Sequence, residues 1–309
     1  MTPANPRILP YGEAALAEAA ALIRRGECVA VPTETVYGLA ADATDSAAVA
    51  GIYAAKGRPS FNPLIVHVAD MAMAETIARF DDEARALAAR FWPGPLTMVL
   101  PLAEGSPVAS LVTAGLPTVA LRMPDHRAMQ GVIQASGRPL AAPSANASGG
   151  ISPTRAAHVV SSLGGRVPLV IDDGATEAGI ESTIVDTVRR VILRPGPIPA
   201  EALPGYGTGA TPGAITAPGQ LASHYAPSKP VRLGATRPVP GEWLIGFGAV
   251  AGDDTLSASG DLVEAASRLF DALHRADASG RTGIAVAPVP HVGLGVAIND
   301  RLVRAAHPR

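Results

Sequence analysis

The sequence predicts an α/β fold in which a large domain built on a mixed sheet is followed by a smaller α/β domain. Three observations predict it. Helix and strand patterns alternate along the first two-thirds of the 309 residues, a segment rich in Pro and Gly follows, and the alternation then resumes. Hydrophobic residues make up 48% of the chain, enough for two cores. We expect domains at 1–200 and 230–309, joined by a linker at 201–229.

The large domain is predicted to begin with a helix, Glu13–Arg25, that carries apolar residues at helical spacing and stops at Gly26. A second helix, Asp45–Ala55, opens on a capping aspartate. Further helices are predicted at Asp81–Phe91, Asp125–Ala135 and Thr154–Leu163. Strands are predicted at Cys28–Pro32, Leu64–Val68, Leu96–Leu100, Thr118–Met123, Leu140–Pro143, Leu169–Ile171, Thr183–Asp186 and Val191–Arg194.

The segment from Pro195 to Pro230 interrupts this pattern. Fourteen of its 36 residues are Pro or Gly, which excludes a long helix or a central strand and indicates an extended linker. Beyond it, the elements of the smaller domain are predicted at Val231–Leu233, Trp243–Phe247, Asp261–Ala276, Gly283–Ala287 and Leu294–Ala306, the third and fifth being helices.

Composition excludes several classes of protein. The formal net charge of −2 leaves no dominant basic field that would coat a duplex nucleic acid. A lone cysteine, Cys28, excludes a disulfide framework, and the seven scattered histidines give no zinc-ligand spacing, so no protein metal site is expected. Met1–Pro10 lacks the layout of a signal peptide, and no run reaches the roughly 18 apolar residues of a membrane span. We expect a soluble, cytoplasmic protein.

The first candidate site segment is Pro32–Leu39, which reads Pro-Thr-Glu-Thr-Val-Tyr-Gly-Leu. This segment follows a predicted buried strand and carries two hydroxyls, a carboxylate and a phenol before the next helix begins. Ligand sites in open α/β sheets lie where strands end. The alternative is a capped turn without a ligand.

The second segment, Lys56–Pro63, places two cations around a glycine on a loop stiffened by two prolines. A triphosphate needs charge, hydrogen-bond donors and a preordered backbone of this kind. The sequence GxxxxGK[ST] of a Walker loop is absent. The alternative is a helix that ends in a basic last turn. Lys56 is one of only two lysines among 25 basic residues, and His67 on the following strand is either a site residue or a satisfied core histidine.

Two further segments follow or precede strands downstream. Pro143–Gly150 carries Ser144 and Asn146 among small residues that let a ligand approach the backbone, although a plain polar loop is equally consistent. The nucleophile signature GxSxG is missing, which argues against a serine hydrolase. The last segment is Glu181–Asp186 with the nearby Arg194, and Arg122 at a strand end adds another anion contact.

The order of these segments resembles the threonylcarbamoyl-adenylate synthase family. Thr33–Leu39, Lys56–Pro59 with Asn62–Leu64, Pro143–Asn146, Ser182–Thr183 and Arg194–Gly196 carry the resemblance, which continues through His224–Pro227 into the second domain. It implies a YrdC-like α/β domain with a twisted mixed sheet. A Pro/Gly-rich linker would join it to a smaller Rossmann-like C-terminal domain, as in the longer branch of that family.

The resemblance also implies a reaction. L-threonine, bicarbonate and ATP give threonylcarbamoyl-AMP and pyrophosphate, and the product serves threonylcarbamoyladenosine modification of tRNA. The implied partners are the three substrates, a tRNA threonylcarbamoyl-transferase that receives the product, and tRNA itself in weak or transient contact, with no membrane. Mg²⁺ would be held mainly by the ATP phosphates and water, with few protein ligands.

Carried over position by position, the resemblance assigns roles to residues of this chain. The threonine site is implied at Thr35, His67, Arg122 and Ser182. The ATP site is implied at Arg58, Asn62, Ser144, Asn146, Arg194 and, folding back from the linker, Tyr225. Lys56 would act on the phosphates or the carbamate, and Lys56 and Arg58 are the expected catalytic cations.

Two other functions remain open from the sequence. One is a carbamoyl-transferring maturation enzyme whose similar domain makes carbamoyl-adenylate; such enzymes carry zinc-finger cysteines, and this chain has one cysteine. The other is an RNA-binding protein of the same fold, against which the net charge of −2 argues.

Overall fold

Two sheets organise the chain in the computed structural model, which describes residues 5–59, 62–209 and 224–308. The larger sheet belongs to the first domain and contains β1 (Arg7–Pro10), β2 (Val29–Pro32), β3 (Tyr37–Asp42), β4 (Ile65–His67), β5 (Leu96–Pro101), β6 (Thr118–Arg122), β7 (Leu140–Ala141), β8 (Leu169–Asp172), β9 (Thr183–Asp186), β10 (Val191–Arg194) and β11 (Gly207–Thr208). Its strand order is β1-β8-β2-β3-β7-β4-β6-β5-β9-β10-β11. Parallel and antiparallel pairs both occur, so the sheet is mixed, which confirms the predicted α/β class.

Helices cover both faces of this sheet. They are α1 (Glu13–Arg24), α2 (Ser46–Lys56), α3 (Met71–Ile77), α4 (Asp82–Phe91), α5 (Ser110–Thr113), α6 (Arg127–Ser136) and α7 (Ala156–Leu163). Aspartates at the N-caps of α2, α3 and α4 accept hydrogen bonds from backbone N–H groups, which satisfies donors that a helix start leaves unpaired. Within β2, Ala30 packs towards α2 while Val29 and Val31 pack towards α1 and α6. Burial on both faces explains why β2 is apolar throughout.

The second domain contains β12 (Val231–Leu233), β13 (Glu242–Gly246), β14 (Asp254–Thr255), β15 (Gly283–Val286), α8 (Leu262–Ala278) and α9 (Leu294–Ala306). Its four strands pair in parallel in the order β12-β15-β13-β14. Its core also takes in Val36, Ile151 and Ile180 of the first domain, so the two domains share one apolar cluster. The predicted linker at 201–229 stays a prediction, because residues 210–223 lie outside the described part of the chain.

One interpretation from the sequence needs correction. Tyr37–Leu39 was expected to belong to a polar segment, but these residues open β3, which pairs antiparallel with β2. The Thr33 hydroxyl accepts from the backbone N–H groups of Thr35 and Val36 and donates to the Val36 carbonyl, so four residues reverse the chain. Strands β1, β11 and β14 and helices α3 and α5 were not predicted either. No helix of the described ranges is long and apolar enough to cross a membrane.

Candidate active site

A cavity opens at one edge of the large sheet, where the predicted site segments meet. Strands β4 and β6 are parallel and end side by side at His67 and Arg122. Strand β5 runs antiparallel to β6 and parallel to β9, so β9 begins at this same edge, directly after Ser182. Strand β10 runs antiparallel to β9 and returns Arg194 there. The topology therefore brings together residues that lie more than a hundred positions apart.

Eight of the eleven predicted site residues line this cavity: Thr35, Arg58, His67, Arg122, Ser144, Ser182, Arg194 and Tyr225. The other three, Lys56, Asn62 and Asn146, are buried beside it and are not among its lining residues. Glu181 and His224 also line the cavity, although neither is among the predicted site residues; each is adjacent in the chain to one of them, Ser182 or Tyr225. Ser60 and Phe61 of the second segment lie outside the described residues.

Arg122 is held by three groups on the cavity wall. It donates from Nη1 to the Thr35 hydroxyl at 2.9 Å and from Nε to the Gly94 carbonyl at 3.3 Å. Its Nη2 lies 2.6 Å from Oε1 of Glu34, in an ion pair that is almost fully buried. The sequence did not indicate this pairing. Together with the bonds to Thr35 and Gly94, it fixes the orientation of the guanidinium at the cavity.

His67 is a neutral imidazole at this wall. Burial and the adjacent Arg122 lower its pKa to about 3. Its Nδ1 is buried and has no hydrogen-bond partner among the described residues. An unpaired ring nitrogen at a cavity is unusual for a histidine that serves the core alone, because buried polar groups are normally satisfied.

Ser182 and Arg194 form the opposite wall. Arg194 donates to the Ser182 carbonyl at 3.1 Å and to its hydroxyl at 3.0 Å, and the same hydroxyl lies 2.7 Å from that of Thr97. Burial lowers the pKa of Arg194 from its usual value. These bonds engage Nε and Nη2, so Nη1 keeps its donors for an anion at a largely buried position, where electrostatic attraction is strong.

Lys56 and Arg58 approach the cavity from the end of α2. Lys56 Nζ donates to the carbonyls of Ser144 and Asn146, each at 2.5 Å, and holds the loop after β7 in place. Burial, with the nearby Arg58 and Arg166, keeps the pKa of Lys56 well below its usual value. Arg58 donates to the carbonyls of Asn62 and Pro63, and burial lowers its pKa to about 10.

Two amide side chains beside this loop have acceptors to spare. The Oδ1 atoms of Asn62 and Asn146 are buried and accept no hydrogen bond from any described residue. Asn146 donates through Nδ2 to the carbonyls of Ala147 and Gly150, which sets its orientation. Burying such an acceptor costs free energy unless a ligand or a water molecule donates a hydrogen bond to it.

His224 and Tyr225 close the cavity from the end of the predicted linker. Tyr225 is 1% exposed, with its φ angle at +63°, and its ring packs on Phe270 of α8 at 5.5 Å between centroids. The Ala226 N–H donates to the Gly149 carbonyl and ties this segment to the loop after β7. Burial, followed by the surrounding cations, places the pKa of His224 well below its usual value. The cavity is therefore shielded from water on this side.

The resulting site is rich in cations and poor in metal ligands. Arg58, Arg122 and Arg194 line it, while Glu181 is the carboxylate among its described lining residues. No three His, Cys, Asp or Glu side chains come together as a metal site within the described ranges. This arrangement suits a small, highly charged anion that brings its own counterion.

Comparisons with known proteins identify the family. Residues 21–196 match a family model described as "Telomere recombination", and residues 180–307 match one described as "Threonylcarbamoyl-AMP synthase, C-terminal domain". The threonylcarbamoyl-AMP synthase of Pyrococcus abyssi is 41% identical over 93% of each chain, and that of Bacillus subtilis is 40% identical over 94% of this chain and 92% of its own. The crystal structure of P. abyssi Sua5 complexed with L-threonine aligns with a TM-score of 0.89 at 39% identity, over 97% of each chain. The chain therefore belongs to the threonylcarbamoyl-AMP synthase family and is an enzyme of its two-domain branch.

Proposed function

We propose that this enzyme condenses L-threonine, bicarbonate and ATP into threonylcarbamoyl-AMP and pyrophosphate. The observation that carries the proposal is the buried cavity in which Arg58, Arg122 and Arg194 converge, with Lys56 behind its wall. A nucleoside triphosphate and an amino-acid carboxylate are the anions that such a site would neutralise. The relative crystallised with L-threonine supports the amino-acid half of the proposal.

Threonine is proposed to lie against the wall formed by Thr35, His67, Arg122 and Ser182. Arg122 presents a planar fork that matches a carboxylate, and its orientation is set by Thr35 and Glu34. His67 is uncharged above about pH 3, so it offers threonine a hydrogen bond without repelling an incoming ammonium group.

ATP is proposed to lie against Arg58, Asn62, Ser144, Asn146 and Arg194, with Tyr225 over the adenylate. The unpaired Oδ1 atoms of Asn62 and Asn146 provide acceptors for donors of the nucleotide. Lys56 is proposed to act as a compact charge from behind the cavity wall, where its contacts to the Ser144 and Asn146 carbonyls are already made. It would act on the phosphates or the carbamate.

The chemistry needs no activated serine or cysteine. The threonine ammonium first gives a proton to solvent; the resulting neutral amine adds to the carbon of bicarbonate, and water leaves, giving a carbamate. A carbamate oxygen then bonds to the α-phosphorus, and the bond from that phosphorus to the bridging β-oxygen breaks, releasing pyrophosphate. Positioning and charge neutralisation supply most of the rate in such transfers.

Magnesium is proposed to enter with ATP. The cavity's carboxylate, Glu181, already accepts hydrogen bonds from Ser152 and Arg301, so the described residues offer little to a cation directly. This donor set fits an ion held mainly by the phosphates and water. When bound, Mg²⁺ would neutralise charge on the phosphates.

The product is proposed to pass to a tRNA threonylcarbamoyl-transferase in the cytoplasm, for threonylcarbamoyladenosine formation. Any tRNA contact of this chain itself would be weak or transient, because its net charge of −2 gives little electrostatic attraction.

Mass spectrometry of protein mixed with magnesium-ATP, bicarbonate and threonine tests the function. Threonylcarbamoyl-AMP should form, and it should vanish when threonine or bicarbonate is omitted. Pyrophosphate release that is indifferent to threonine would contradict the proposal.

A further inference from the structure

Arg301 is a fully buried charged side chain of the second domain that contacts residues of the cavity wall. It lies on α9 in the second domain, and none of its surface is exposed. A buried guanidinium is costly unless its N–H groups are all engaged. The partners it finds belong mostly to the other domain.

The guanidinium of Arg301 spans two segments of the cavity wall. Nε donates to Oε2 of Glu181 at 3.0 Å, and Nη2 donates to the Glu181 carbonyl at 3.3 Å. Nη1 donates to the Pro195 carbonyl at 2.6 Å and to Oδ2 of Asp300 at 3.1 Å. Burial acts to lower the pKa of Arg301, but Tyr225, Glu181 and Asp300 outweigh it, so the pKa is raised and the charge is retained.

These two segments carry residues of the proposed substrate sites. Glu181 lines the cavity and precedes Ser182, while Pro195 follows Arg194. Ser182 and Arg194 are joined by two hydrogen bonds of their own. A single side chain of the second domain thus clamps the start of β9 to the end of β10.

The same guanidinium also supports the third wall. Its Cζ lies 5.5 Å from the ring centroid of Tyr225, within the range of a cation–π contact. Phe270 of α8 also packs against that ring, with 5.5 Å between the ring centroids. The second domain therefore contacts Tyr225 through both of its long helices.

We propose that Arg301 is a positioning residue through which the second domain aligns Glu181–Ser182, Arg194–Pro195 and Tyr225 around the substrates. It contacts no substrate itself and acts through these three segments. The kinetic part of this inference rests on the proposed function; the structural part does not. Through Arg301, the second domain takes part in forming the active site.

Kinetics of Arg301→Met and Arg301→Lys test the proposal against Arg268→Met. Arg268 is an arginine of the same domain whose partners, Asp254 and Glu264, also belong to that domain. We expect kcat/KM of Arg301→Met to fall by about 10²-fold, since misplacement of about 1 Å has such an effect. Arg301→Lys should recover little, because an ammonium cannot form the planar fork. Arg268→Met should keep the wild-type value.

The double variant Glu181→Gln/Arg301→Met distinguishes a positioning role of Arg301 from a purely stabilising one. Removing both charges relieves the uncompensated carboxylate that Arg301→Met leaves buried, so the double variant should regain Tm. Its kcat/KM should stay low, because the clamp is still missing. If activity recovers together with Tm, Arg301 only stabilises the fold. The same conclusion follows if Arg301→Met, Arg301→Lys and the double variant all fail to fold.

Hydrogen exchange gives a readout that does not depend on catalysis. Amides of residues 181–184, 192–194 and 196 should exchange at least about tenfold faster in Arg301→Lys than in the wild type, while those of α4 stay unchanged. Wild-type exchange in both segments, together with wild-type kcat/KM, would overturn the proposal. If the wild-type protein makes no threonylcarbamoyl-AMP, the proposed function fails, and the exchange data still decide whether Arg301 clamps the two segments.

Discussion

Lys56 combines full burial, a pKa held well below the usual value and two short contacts to backbone carbonyls. Replacing it with alanine removes a charge beside the proposed phosphates and leaves the Ser144 and Asn146 carbonyls without this donor. We predict that Lys56→Ala loses most of its turnover while its circular dichroism spectrum stays that of the folded protein. Steady-state kinetics with ATP, bicarbonate and threonine measure the loss.

The other lysine of the chain provides a matched control for this prediction. Lys229 donates to the carbonyls of Ala276 and Ser279 at the end of α8, away from the cavity. Lys229→Ala should lower the unfolding temperature and leave kcat unchanged. Near-normal turnover of Lys56→Ala would remove Lys56 from the mechanism.

His67 should make the stability of the protein depend on pH. Its pKa is lowered from 6.5 to about 3 in the folded state, chiefly by burial. Below pH 6.5 the unfolded chain therefore binds a proton here that the folded protein does not bind until about pH 3. Stability is lost as the pH falls through this window, by up to about 1.4 kcal/mol per pH unit.

Urea unfolding of the wild type and of His67→Gln, followed from about pH 6.5 to about pH 4, checks this slope. The stability advantage of the wild type over the variant should shrink as the pH falls. The exposed His307→Gln should keep the wild-type slope. Parallel curves for the wild type and His67→Gln would show that His67 takes up its proton at the same pH in the folded and unfolded protein, which would contradict the lowered pKa.

At the scale of single residues, the sequence predicted residue types better than their pairings. The lining residues Arg58, Arg122 and Arg194 were all recognisable, because cations and small polar residues after strands indicate an anion site. The sequence did not predict two pairings: the ion pair between Arg122 and Glu34, and the contact of Arg301 with Glu181. Their partners are separated by about 90 and 120 positions, and no local pattern encodes such a distance.

At the scale of elements, helices were predicted more reliably than short strands. Helices α1 and α9 begin and end within a residue of the predicted limits, because apolar spacing and terminal signals agree there. Strand β3 was missed because its residues, Tyr37–Asp42, are buried on both faces and show no alternation. The turn before it lacks the Gly or Asn that marks a hairpin and is closed by the Thr33 hydroxyl instead.

The segment before β9 packs directly on helix α8, and Gly179 makes that approach possible. Its φ is +67°, and a Cβ there would lie 2.4 Å from the Ser267 carbonyl oxygen. We predict that Gly179→Ala costs the backbone strain of a left-handed residue, about 1–2 kcal/mol, plus about 1–3 kcal/mol for the clash. Because Glu181 follows closely, turnover should fall as well.

Gly105→Ala is the control that measures the backbone strain of a left-handed alanine without a steric clash. Gly105 has a φ of +70°, and nothing lies within 4 Å of a Cβ built there. Urea denaturation should show a loss of about 1–2 kcal/mol for this control and a clearly larger loss for Gly179→Ala. Equal losses would mean that α8 yields to the added methyl group.

At the scale of the whole molecule, the shared apolar cluster predicts that both domains unfold together. Val36, Ile151 and Ile180 of the first domain pack with the core around Phe270. Calorimetry should therefore show one transition. Phe270→Ala, which removes a fully buried ring, should lower the stability of the whole chain by about 3–5 kcal/mol.

Val263→Ala, on the exposed face of the same helix, is the control and should change stability by less than about 0.5 kcal/mol. Two separate heat-absorption peaks in the wild type would contradict the prediction. So would a Phe270→Ala variant in which only part of the unfolding signal moves to lower temperature.

The strand order of the large sheet bears on how the chain is made. Strand β8 lies between β1 and β2, and β1 has β8 as its neighbour among the described strands. Arg7 can therefore form its strand pairing only after Leu169, about 160 positions later, has been synthesised. At about 5–20 residues per second, that delay on the ribosome is roughly 8 to 30 seconds. Throughout it, the nascent chain presents unpaired strand edges, so we expect its synthesis to depend on protection from aggregation more than its finished stability suggests.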